Sequence, residues 1–447
     1  MSFSQALSGL NAQSENLKIL GNNIANSQTV GFKSSGAIFS DVFAGANSQV
    51  GLGVNVADVR QDFTAGDLES TGRTLDLAIA GEGFYRIQEP NGQIGFSRNG
   101  QFSQNANGFL VTASGQQLTG YGIEEADPAN PESETRIIAN NPGPIQIPTG
   151  DIPAKQTAEV SAVYNLDASI DHTNNDLLQS VDVFNTIARE PGATEEISYH
   201  FANSYTVFDS LGNARNVSSY YTKVGDNDWD VRVAVDGYYD DENNFSLSFN
   251  ANGLLTKDTN ANGQEFIVGV DDGDANTKPD NPGGNGDDKA AITFPSENGA
   301  DVLNFNFVLA GTTQFSGNSV QSALSQDGFA SGALAGLSID ENGVIYRNYT
   351  NEQSIPAGQI VLANFANTEG LQPIGNNAWR QTATSGEPVI GIAGTGMFGT
   401  IESGVLENSN VDLAKQLVDT IVAQRAYQAN STSISTQDEL LQTIINL

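Results

Sequence analysis

Apolar residues near the start of the chain recur in steps of four and three. Phe3, Leu7, Leu10, Leu17 and Ile24 share one ladder, with Ser14 and Gly21 in its remaining places. Such spacing keeps side chains on one face of a helix, and this ladder has the form of a coiled-coil seam. A helix over Ser4–Ile24 would be about 32 Å long. The last segment behaves alike, with a stripe of Leu413, Leu417, Ile421, Tyr427, Ile434, Leu441 and Ile444. Asn410 or Asp412 offers its N-cap. Neither helix can bury its stripe alone. The economical expectation is that each packs on the other and brings the two chain ends together.

Between the helices the period changes to two. Asn-Gly, a strong hairpin signal, occurs eight times between Asn91 and Gly343. Asn91-Gly92, Asn99-Gly100 and Asn107-Gly108 are eight residues apart and Ser114-Gly115 follows seven later, which predicts a β-meander. Val231, Val233 and Val235 alternate with Arg232 and Ala234, and Phe245, Leu247 and Phe249 repeat the pattern; each run predicts a half-buried strand. The stretch from Asn141-Pro142-Gly143-Pro144 to Pro153 is a candidate linker between two β domains. A second discontinuity, rich in Asp, Asn and Gly, spans Lys257–Lys289, and the return from the outer domain is expected near Gly311–Ser331.

The expected fold is multidomain and mainly β. Paired N- and C-terminal α-helices form a coiled-coil-like inner domain, and the domains are nested and discontinuous. The expected units are a helical assembly domain (1–28 with 412–447) and an extended connector (29–75 with 401–411). An inner β domain (76–147 with 312–400) and an outer β domain (148–311) follow, the outer one carrying an acidic insertion at 257–289.

Charge sharpens this picture. Met1–Phe32 holds one acid, Glu15, and one base, Lys18, while Asp412–Leu447 holds four acids and two bases, so −32 of the net −34 lies in the middle. Solvated helices are usually laced with Glu–Lys pairs. These carry amides and hydroxyls opposite their stripes, which suits helices buried among copies of themselves, where a full charge is costly to desolvate. A pI near 4.1 argues against nucleic acid and anionic membrane surfaces. No apolar run approaches the roughly 20 residues that span a bilayer. Without cysteine there is no disulfide, thiol catalysis or cysteine metal site. Met1–Leu10 lacks the basic and apolar regions of a secretory signal, so export is expected without a cleaved signal peptide.

Catalytic constellations are scarce. Two histidines, His172 and His200, leave little material for a triad or a multi-histidine metal site. Gly394-Thr395-Gly396-Met397-Phe398-Gly399 matches a dinucleotide fingerprint in spacing only; Thr400–Glu407 has no helical stripe to hold a pyrophosphate, and turns between short strands are expected. Asp271-Asp272-Gly273-Asp274-Ala275-Asn276 resembles the start of a calcium loop. Counted from Asp272, the positions that need glycine and glutamate hold Thr277 and Gly283. No catalytic, cofactor or metal residue is assigned.

The segment Asn22-Asn23-Ile24-Ala25-Asn26-Ser27-Gln28-Thr29-Val30-Gly31-Phe32-Lys33 resembles the signature of the bacterial flagellar axial proteins, the rod and hook family. It is a helix end in which Asn26 can take a left-handed cap, Gly31 turns the chain and Phe32 anchors it. Leu75–Phe84, Glu402–Val411 and Gln424–Asn430 are similar to the same family. Tyr205–Asn213, Gln326–Gly332, Gly358–Phe365 and Ile444-Ile445-Asn446-Leu447 resemble its hook branch. The resemblance covers nearly the whole chain and is weakest over Ile152–Val308.

That resemblance implies a structural subunit, not an enzyme. Such a subunit is exported unfolded by the flagellar type III apparatus and polymerises beneath a cap into a curved tube outside the cell. The tube is a universal joint that carries torque from rod to filament. Implied partners are further copies of the chain, the rod, the hook cap, the hook–filament junction and export proteins, with no cofactor, nucleic acid or membrane insertion. The two ladders are the expected assembly interface. Asn22, Asn23, Asn26, Gly31, Phe32, Lys33, Arg425 and Asn430 carry the signature. Two alternatives stay open: a distal rod protein, and an acidic calcium-dependent extracellular adhesin.

Overall fold

The computed structural model describes residues 3–42, 51–124, 135–174, 178–185, 194–239, 243–260, 265–266, 290–294 and 299–445. It begins with helix α1, Phe3–Ala25, and ends with helix α2, Leu413–Ile445. The Asp412 carboxylate caps α2, accepting from Lys415 N–H at 3.1 Å. Asn410, the other candidate cap, is used elsewhere. The helices pack against each other, with Asn23 near Gln416 and Gly9 near Asn430, so the two terminal helices do meet.

The face of α1 that is buried carries Ala6, Gly9, Ala12, Leu20 and Asn23. The expected ladder lies about a quarter-turn further round. Small side chains win because they let two helix backbones approach closely. A Cβ built on Gly9 would lie 2.8 Å from Asn430 Nδ2. The expectation that the two stripes pack on one another is therefore corrected: the pairing is real, but small residues and amides mediate it.

The connector is not extended chain either. Ser35–Val42 and Gly53–Gln61 form an antiparallel hairpin with a register shift between Ile38 and Phe39 and lie against α1. Leu68–Ser70 then pairs with Val405–Glu407 on the return leg.

The inner β domain is an antiparallel sheet whose spine runs 334–339, 344–349, 354–364, 117–124, 84–88, 94–97, 378–380, 372–375. Gly92, Gly108 and Gly115 have φ near +80°, as turns of the expected meander require. Asn99-Gly100 is different. Gly100 accepts a backbone bond from Leu77, and a Cβ there would fall 1.7 Å from Leu77 O, so close backbone approach, not a turn, demands this glycine. Asn141–Pro144, expected as linker, closes strand Arg136–Pro144, which pairs with Gln117–Glu124. Ile145 and Ile147 then enter the inner core.

The outer domain is a sandwich. One sheet is built on Glu159–Asp167; the other has Ala214–Lys223, Asp228–Val235 and Phe245–Phe249 at its centre. One cluster fills the space between them, including Tyr164, Tyr221, Trp229, Val231, Leu247, Phe305 and Phe307. The alternation at Val231–Val235 and Phe245–Phe249 thus faces a core. Thr313–Phe315 and Val320–Gln326 pair with Glu159–Asp167, so residues expected to begin the return still belong to the outer sheet. The first strand back in the inner sheet is Leu334–Ile339. The two crossing legs pair at Ile152–Gly332 and Lys155–Phe329.

Within the acidic insertion, Leu255–Asn260 is strand, paired with Phe245–Phe249, and Glu265-Phe266 continues that sheet. The rest, including Asp271–Asn276, lies outside the described residues. Gly394–Gly399 is a turn between strands Val389–Ile392 and Thr400–Ser403, with Gly394 and Gly396 at positive φ.

Candidate assembly interface

Because α1 meets α2 through small residues and amides, part of each apolar stripe is left open. Phe3 and Leu7 are exposed, and Leu10, Leu17 and Ile24 are half-buried. On α2 the exposure is greater: Leu413, Leu417, Ile421 and Leu441 are each about half open to solvent, while Tyr427 and Ile434 are half-buried. The Ile444 side chain lies outside the described residues. Val418, Val422 and Leu440 are as exposed as the stripe itself and were missed by counting heptad positions alone. The doublets Leu417-Val418 and Ile421-Val422 were the available signal, since adjacent apolar residues widen a stripe. An exposed apolar cluster such as Leu417, Val418, Ile421 and Val422 is the kind of surface that marks an interaction site. Arg425 is exposed on the same helix.

The signature residues act one level deeper, where α1 joins the hairpin and the inner sheet. Asn23 is fully buried. Its amide donates to Ser35 O at 2.7 Å and to Gln416 Oε1 at 3.2 Å, and accepts from Ser35 N–H at 3.0 Å. One side chain thereby ties α1 to the hairpin and to α2. Asn22 is exposed, and its carbonyl accepts from Asn26 N at 3.1 Å and Asn26 Nδ2 at 2.9 Å. The left-handed cap expected at Asn26 is absent: its φ is not positive, and the side chain satisfies the helix end directly. Gly31 does turn the chain, at φ +69°, and its N–H donates to Glu407 O at 2.8 Å.

The expected anchor Phe32 is only half-buried. Lys33 is the buried residue, with its ammonium 2.6 Å from Glu407 Oε1 and 2.6 Å from Thr64 O. Arg98 approaches the other carboxylate oxygen at 3.3 Å and stacks over Phe84 with its guanidinium 5.3 Å from the ring centre. Burial pushes the Lys33 ammonium below its ordinary pKa, against the pull of Glu407. Phe63 seats the same connector, meeting Phe84 and Trp379 edge-on at 5.5 and 5.4 Å. Asn410 finishes the joint: it accepts from Ser34 N–H at 2.8 Å and donates to Asp62 O at 2.8 Å.

The helix pair thus leaves apolar residues open and is tied through amides and a buried ion cluster to the hairpin and the inner β domain. Along its whole length the chain is 43% identical to the flagellar hook protein of Escherichia coli (strain K12), with all of both chains covered. The chain belongs to the flagellar hook protein family. The hook protein of Salmonella typhimurium is 41% identical, again over all of both chains, and that of Borreliella burgdorferi 32%, over all of this chain and 99% of the other.

Family models divide the chain much as the structure does. "Flagella basal body rod protein" matches residues 4–33 and "Flagellar hook protein FlgE/F/G D1 domain" residues 78–163. "Flagellar basal body protein FlaE D2 domain" matches 174–329 and "Flagellar basal body rod FlgEFG protein C-terminal" 402–447. The fold is also that of a crystal structure of a Helicobacter pylori flagellar hook protein, with a TM-score of 0.51 at 16% identity over 76% of this chain and all of that one. Two terminal helices around a mainly β, multidomain body are thus the architecture of the hook family.

Proposed function

We propose that this hook-family chain polymerises through its paired helices into the tube of the flagellar hook, outside the cell, where it transmits torque from rod to filament. The apolar face that α2 turns to solvent carries this reading. Burying a Leu, Ile or Val side chain contributes about 1.5–3 kcal/mol, and α2 leaves Leu413, Leu417, Val418, Ile421, Val422, Leu440 and Leu441 exposed. A second copy presents the same helices and can bury them. The role is mechanical and needs no catalytic group. Partners are further copies first, then the rod, hook cap, hook–filament junction and export proteins. The nested β domains form the outer layers around the helical tube.

Electron microscopy of purified chain driven to polymerise tests the reading. Curved tubes are expected from the intact chain. The double variant Leu417→Asn, Ile421→Asn is expected to leave the β domains folded and to form no tubes. Tubes as abundant as those of the parent would show that the exposed stripe is not the assembly surface.

A further inference from the structure

Glu407 is wholly buried, and its carboxylate is divided among three other stretches of chain. Oε1 accepts from Lys33 Nζ at 2.6 Å and from Gly66 N–H at 2.9 Å, and Oε2 faces Arg98 Nη1 at 3.3 Å. The backbone oxygen of Glu407 holds Gly31 N–H. Two buried cations thus share one buried anion. Arg98 has Gly81 O at 2.9 Å as a further acceptor, but its Nε finds none among the described residues. Lys33 has Thr64 O besides Glu407. Backbone dipoles soften the charge but do not neutralise it. Removing the anion would strand both cations in a low-dielectric site, the costly way to break a buried ion pair.

The partners are far apart in sequence. Lys33 and Gly66 bracket the outgoing hairpin, Arg98 belongs to the inner β domain, and Glu407 ends strand Val405–Glu407 on the return leg, beside Leu68–Ser70. We propose that Glu407 is a latch: the outgoing leg, from Phe32 through Gly66, seats on the inner β domain only once the return leg delivers its carboxylate. Until then, the buried Lys33 ammonium has only the weaker field of Asp62 and no carboxylate bonded to it, and the leg is better solvated than docked. Chain order gives the latch its use. Helix α1 is the first element of the chain, and the residue that locks its leg stands at position 407 of 447. The helix that exposes apolar residues therefore stays on a loose tether until the return leg, 374 residues after Lys33, has arrived. The inference concerns a single chain and stands whether or not that chain forms tubes.

Hydrogen exchange on the full chain, at concentrations too low for assembly, tests it. In Glu407→Gln, the amides of 61–67 are expected to exchange faster by on the order of a hundredfold, the equilibrium cost of breaking a buried pair. Those of 229–249, in the outer core, should be unchanged. The double variant Lys33→Met, Glu407→Gln, which removes the stranded ammonium, should recover most of the lost protection. Parent-like protection in Glu407→Gln overturns the latch. So does a double variant as open as the single one, because the stranded Lys33 ammonium, the leg's own charge, would then not be the cause. Equal loosening of 84–97 also overturns it, since Glu407 would then hold the inner sheet together and not the leg alone.

Discussion

The side-chain amide of Asn430 lies directly over the backbone of Gly9, so close that a methyl group on the glycine would meet its Nδ2 at 2.8 Å. Leu7, two residues away, points to solvent. About half a turn of α1 thus separates the contact that pairs the chain's own helices from the exposed Leu7, the contact proposed for other copies. Gly9→Leu is expected to lower stability by about 1–3 kcal/mol through overpacking and to splay the helix pair. Leu7→Asn should cost less than about 0.5 kcal/mol, as for other exposed sites, and weaken polymerisation instead. Thermal unfolding of dilute chain and a sedimentation assay of assembled tubes read the two effects separately. If both variants behaved alike in both assays, the division of faces would be wrong.

How much of this was legible in the residues varied with the range of the interaction. The helices and strands came from local periodicity, and Val231–Val235 lies where alternation put it. The partner of a helical face is a different kind of fact. The ladder of large apolar residues was the stronger pattern, yet Ala6, Gly9 and Ala12 win the contact within the chain, because small side chains let the two helix backbones approach closely. The hairpin at 35–61 gave little signal, since neither strand alternates cleanly and its support is Asn23, a polar residue of the preceding helix. Lys33 was singled out by resemblance, but its partner Glu407 lies 374 residues away, beyond any local rule.

Asp327 ties the two legs of the crossing between the β domains together. Its Oδ1 accepts from Ala158 and Glu159 N–H at 2.8 and 2.9 Å, and Oδ2 lies 3.1 Å from Lys155 Nζ. Asp327→Ala removes an ionised acceptor from two amides at once, a loss of about 1–3 kcal/mol. That loss should be local. Limited proteolysis is expected to cut 148–158 faster in the variant, while the unfolding temperature of the outer core stays within a few degrees of the parent. Unchanged cleavage would place the tie in the backbone pairs Ile152–Gly332 and Lys155–Phe329 instead.

Gly31 tests the turn that delivers Lys33 to its site. Its φ is +69°, and a Cβ would lie 2.6 Å from Asn99 N, a backbone atom that cannot step aside. Gly31→Ala therefore meets both left-handed strain and a clash, for a cost of about 1–3 kcal/mol from the backbone conformation alone. The expected sign is faster hydrogen exchange at 61–67, as for loss of Glu407, because the same leg is displaced. A variant as stable and as protected as the parent would mean that the turn relaxes freely.

Alkaline pH should unfold the outer domain through its buried tyrosines. Burial raises Tyr164, Tyr205 and Tyr221 above the ordinary phenol value of 10.0, because a phenolate would be stranded in the core between the two sheets. The unfolded chain releases these protons at lower pH than the folded chain does. Their contribution to stability is therefore complete below about pH 10 and declines as the pH rises through and beyond that value. Lys33 has the opposite sign, since burial lowers it, but it is one group against three. Phenolate absorbance followed together with far-ultraviolet circular dichroism should show these tyrosines ionising only as the strands are lost. Tyr221→Phe keeps the ring and deletes one ionisable group, so its alkaline transition should move to higher pH. Ionisation of all tyrosines with the strands intact would mean that water reaches the space between the sheets.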